Sequence, residues 1–67
     1  MTKKERVALR MLQDRFIARV KRINPEFPET AQVFSDNGVG NPPITLASLQ
    51  RYIYPAFAHL IRDYLND

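Results

Sequence analysis

The chain has 67 residues with 45% hydrophobic content, two glycines, five prolines, one histidine and no cysteine. That composition allows one small globular domain and excludes disulfides, thiolate metal sites and a histidine-rich metal site. The formal charge of +3 is unevenly placed: residues 1–23 carry eight cations against Glu5 and Asp14, a balance of +6, while residues 24–67 carry Arg51 and Arg62 against five acids, a balance of −3.

Thr2-Lys3-Lys4-Glu5 fits the S/T-x-x-E capping box and opens a helix. Leu9, Leu12, Phe16, Val20 and Ile23 then fall on one stripe about 80° wide at roughly 100° per residue. Val7, Met11 and Ala18 form a thinner stripe on the opposite side. Asn24-Pro25 ends the helix, because the residue before a proline avoids the α region. The first helix is therefore expected over about 3–23.

Residues 24–44 hold four of the five prolines and both glycines. Pro28-Glu29-Thr30 reads as a helix start, and Phe27, Ala31 and Phe34 share one face, so a short helix is expected over about 28–36. Asn37-Gly38 would end it. The rival reading is an extended stretch at Val33-Phe34 followed by a turn at Asp36-Asn37-Gly38. Gly40-Asn41-Pro42-Pro43 reads as a stiff extended connector.

Thr45 caps the last helix, which is expected to run to about Leu65. Leu46, Leu49, Ile53, Phe57, Leu60 and Tyr64 form its main stripe, and Tyr52, Tyr54, Ala56, Ile61 and Leu65 widen it past half the circumference. Pro55 removes a backbone donor and clashes with the carbonyl of Arg51. A kinked continuous helix is the preferred reading, and two helices broken near Tyr54 the other. The expected fold class is all-α: a single small helical domain over 1–67. In it a long N-terminal helix packs antiparallel on a Pro-kinked C-terminal helix, with a short middle helix between them. Leu9, Leu12, Phe16, Val20 and Ile23 would be buried against Leu46, Leu49, Ile53, Phe57 and Leu60.

The cations of the first helix divide into two groups. Lys4, Arg15, Arg19 and Arg22 lie on one flank of the apolar stripe, and Lys3, Arg6, Arg10 and Lys21 on the other. A helix buried along one seam with two solvated flanks has this pattern, since long Arg stems cover apolar surface while their heads stay wet. The +6 balance supports an alternative, nucleic-acid contact through Arg15, Arg19, Arg22 and Lys4. A helix-turn-helix is disfavoured, because the link from Gly38 to Ile44 is long and holds two prolines.

No catalytic constellation is legible. His59 and Asp63 are one turn apart, and two ligands do not make a metal site. Gly38-Val39-Gly40 lacks the rest of a dinucleotide loop. No cofactor, metal or small-molecule substrate is expected, and the chain reads as soluble, cytoplasmic and non-enzymatic, with no membrane association. The preferred function is a protein-interaction or regulatory module. It would act through an apolar, Tyr-bearing helical face, as a homodimer or docked on a larger protein. Tyr52, Tyr54, Ile61 and Leu65 are the candidates for that interface.

Overall fold

The computed structural model describes residues 1–35 and 43–66. Among these the chain is mainly helical, with a small two-stranded sheet. Helix α1 spans Lys3–Ile23, as its sequence pattern predicts. The Thr2 hydroxyl accepts from the Glu5 N–H at 3.1 Å, and the Glu5 carboxylate returns to that hydroxyl rather than to the Thr2 backbone. At the far end Asn24 is extended and closes the last turn through its N–H to the Val20 carbonyl.

The short helix expected over 28–36 does not form. Residues 24–31 make two turns, with Phe27 N–H bonded to the Asn24 carbonyl and Ala31 N–H to the Pro28 carbonyl. Strand β1, Gln32–Phe34, follows and pairs antiparallel with β2, Ile44–Thr45, with an irregular register between Gln32 and Phe34. The rival extended reading at Val33-Phe34 is the one realised. The turn at 36–38 and residues 40–42 of the connector lie outside the described residues.

Tertiary contacts explain why the helix start at Pro28 loses. In a helix the Glu29 carbonyl would accept from Val33. Here it accepts from Ala47 N–H at 3.1 Å and satisfies a free donor in the first turn of the next helix. Phe34 meanwhile stacks between Phe16, at 5.3 Å, and Phe57, at 5.1 Å.

The C-terminal half is broken, not kinked. Helix α2 spans Leu46–Arg51 and opens on a complete capping box: Thr45 accepts from Ser48 N–H, and the Ser48 hydroxyl accepts from Thr45 N–H. Tyr52 is extended, and Tyr54, the residue before Pro55, lies outside the α region that a following proline disfavours. Pro55 then starts a 3₁₀ turn, Pro55–Phe57, that leads into α3, Ala58–Asn66. The expected antiparallel pairing of two long helices is likewise not found. Arg10 and Gln13 bond residues 49–54, whereas Phe16 and Arg19 meet Tyr64 and Leu65. Contacts therefore follow the same order along both segments, and a simple hairpin would reverse that order.

The buried core is Phe16, Ile17, Val20, Ile44, Leu46, Leu49 and Ile61. Four of the ten expected core residues are buried (Phe16, Val20, Leu46, Leu49) and Leu9, Leu12, Ile53 and Phe57 are half-buried. Ile23 and Leu60 are exposed. The buried face of α1 is turned by about 50° from the expected stripe, at roughly 100° per residue, toward Gln13 and Ile17.

Candidate interaction surfaces

The break between α2 and α3 exposes backbone groups that must be satisfied, and α1 supplies the partners. Gln13 is 1% exposed. Its amide nitrogen donates to the carbonyls of Leu49 and Tyr52, and its amide oxygen accepts from Tyr54 N–H, each at 2.8 Å. Arg10 donates to the Leu49 carbonyl at 3.3 Å and to the Gln50 carbonyl. Arg19 donates to the Leu65 carbonyl at 2.9 Å, with its guanidinium 5.1 Å from the Tyr64 ring centre. Two helix C-termini, each the negative end of a backbone dipole, thus receive a guanidinium from α1. Lys21 pairs with Glu29 at 2.7 Å and holds that carboxyl below the usual glutamate range.

These contacts separate the four cations proposed for nucleic acid. Lys4, Arg15 and Arg22 are exposed, whereas Arg19 is drawn onto α3. They also separate the four interface candidates. Tyr52 is 59% exposed, Tyr54 and Leu65 are half-buried against the core, and Ile61 is 0% exposed. Ile61 cannot face a partner in this fold. The excess apolar surface inferred for one continuous helix is largely absorbed by the break, which turns Ile61 inward.

Two apolar concavities bear on function among the described residues. The first is an open groove of about 540 Å³ beside the C-terminal half of α1. Phe16, Val20, Phe27, Phe34 and Tyr64 line it, and Ile23, 67% exposed, and Leu60, 42% exposed, form its lip. The second is a cleft of about 560 Å³ beside the N-terminal half, where Val7 and Met11 of α1 face Tyr52 and Ile53. Its other linings include Arg6, Arg10 and Arg51.

Neither surface was assigned from the sequence. The signal for the second was present in the thin stripe of Val7 and Met11. The first needed the knowledge that no segment covers Ile23 and Leu60 among the described residues.

His59 and Asp63 are both exposed, and no group of three His, Cys, Asp or Glu side chains comes together among the described residues. No helix of the described residues is long and apolar enough to cross a membrane. The chain matches no protein-family model, and comparison with curated proteins and with solved structures finds no match.

Proposed function

We propose that this chain is a small, non-enzymatic, cytoplasmic interaction module that pairs through the apolar groove beside the end of α1, with a second copy as the occupant. The exposure of Ile23 and Leu60 at the lip of an aromatic-lined groove carries this reading. Water contact at two large aliphatic side chains beside four aromatic rings is costly, and contiguous apolar patches on small proteins are usually binding sites. Two-fold self-pairing is the commonest way to cover one. Tyr64, an aromatic ring that lines the groove, replaces the buried Ile61 among the interface residues.

Sedimentation over a dilution series tests it, with melting followed at each concentration. The melting midpoint should rise with concentration. Leu60→Asp should remove that dependence and leave the fold intact, because Leu60 is exposed. Ile61→Asp should unfold the chain at every concentration, because it buries a charge in the core. A monomer whose melting point is indifferent to dilution refutes self-pairing and leaves a larger protein as the occupant.

A second reading, nucleic-acid binding, draws on the exposed flank of Lys4, Arg15 and Arg22. It requires affinity that falls steeply with salt and is lost in Arg15→Glu/Arg22→Glu. A gel shift without retardation of mixed DNA or RNA at low salt removes it.

A further inference from the structure

From the cleft beside the N-terminal half of α1 we infer a second binding site, one that accepts an acidic amphipathic helical segment of a partner protein. Its floor is apolar: Val7 and Met11 lie one turn apart on α1, opposite Tyr52 and Ile53 on the extended segment that follows α2. Val7, Met11 and Tyr52 are all more than half exposed. Its rim is cationic. Arg6 and Arg10 stand on α1 and Arg51 ends α2, and no acid lines the cleft among the described residues. Lys3 and Lys4 extend the positive surface along an apolar strip of Val7, Ala8 and Met11. The acids nearest in sequence lie outside it. Glu5 is held at the Thr2 cap, and Asp14 is one turn beyond Arg10.

Charge complementarity selects the occupant. A cationic rim around an apolar floor matches a helix with Leu or Phe on one face and Asp or Glu beside it, laid into the groove. Tyr and Arg are the side chains that most often dominate such interfaces, and Met adapts to the shape of an inserted side chain. The cleft volume of about 560 Å³ is in the range of sites that enclose an anchoring group, roughly 300–1,000 Å³. Nucleic acid would engage the rim and leave the apolar floor unused. A bilayer suits a convex amphipathic helix, and here the apolar residues floor a concavity between two segments. This site is separate from the groove beside the end of α1. It shares with the proposed function only the premise that the chain works by binding protein.

Fluorescence anisotropy on the full chain tests it, with two labelled helical peptides of about 15 residues, long enough to hold some helix in water. Both carry Leu and Phe at i, i+3, i+4 and i+7. One has Glu at most remaining positions, and the other has Lys in place of each Glu. The acidic peptide should bind and the basic one should not. Arg6→Glu/Arg51→Glu should weaken binding by at least about tenfold, since two attractive pairs become repulsive. Tyr52→Ala should weaken it by a similar factor, about tenfold, through loss of the anchor contact. Leu60→Asp should leave it unchanged, which separates this site from the groove. All these residues are exposed, so each variant keeps its fold, verified by its melting curve. Equal binding of both peptides, no binding of the acidic one, or indifference to the Arg6 and Arg51 reversals overturns the proposal. Capture by phosphatidylserine vesicles without peptide binding overturns it too, in favour of a membrane surface.

Discussion

Replacing Gln13 with Leu removes one side chain, strands two backbone groups and leaves a third with a weaker partner. The Leu49 carbonyl keeps only the longer contact to Arg10, at 3.3 Å. The Tyr52 carbonyl and the Tyr54 N–H lose their side-chain partner. A buried polar group left unsatisfied costs about 1–3 kcal/mol. The contact to Leu49 is buried and the other two are part-buried, so water can partly restore the latter. The sum is about 2–4 kcal/mol. A domain of this size has a total stability on the order of 3–10 kcal/mol, at roughly 0.05–0.15 kcal/mol per residue. Gln13→Leu should therefore shift the urea midpoint strongly, and the Tyr54 amide should lose its protection from hydrogen exchange. Gln13→Glu probes the same contacts through pH. At neutral pH its carboxylate can accept from Tyr54 but faces two carbonyl oxygens, so its pKa is raised in the folded state. The variant should be most stable below the ordinary glutamate value, about 4.3, and should lose stability as pH rises through the raised value. A Gln13→Leu chain that unfolds at the wild-type midpoint, with Tyr54 exchanging equally fast in both, would refute the bridging role.

Leu46→Ala and Phe16→Ala should each cost about 2–5 kcal/mol in thermal or urea unfolding, because both side chains are buried, while Arg15→Ala should stay within about 0.5 kcal/mol. The reverse order would displace the assigned core. Glu29 should titrate below the ordinary glutamate range, because Lys21 lies beside it. A lowered pKa means stability present above the ordinary glutamate value and lost as pH falls through the lowered one. An NMR titration should find Glu29 restored to the ordinary range in Lys21→Ala, and no change would exclude the ion pair.

The cations of α1 have more than one role. Arg10 and Arg19 close helix ends and Lys21 pairs with Glu29, so part of the +6 balance of residues 1–23 is spent inside the fold. The end of α2 could not be located from a continuous apolar pattern, so the capping role of Arg10 was invisible in its spacing. The end of the last helix is expected near Leu65, where α3 does end, but spacing along α1 does not say that Arg19 reaches it.

Local chemistry in the sequence determined helix α1 and its limits. Thr2 and Glu5 open it, no breaker intervenes, and Asn24-Pro25 stops it. Thr45 as a helix cap was equally local, because capping is decided within a few residues. Tertiary structure decided the rest. Pro28-Glu29-Thr30 favours a helix, but β1 pairs with β2 while Phe34 stacks between two rings from other elements, and those contacts outweigh a weak local preference. Pro55 was compatible with a kink or a break, and α1 stabilises the break by presenting Gln13 to the freed backbone. Once the chain breaks there, Ile61 turns inward and Leu60 outward, one residue apart in sequence and opposite in environment. Periodicity names which residues share a face, but only the partner element decides which face is covered.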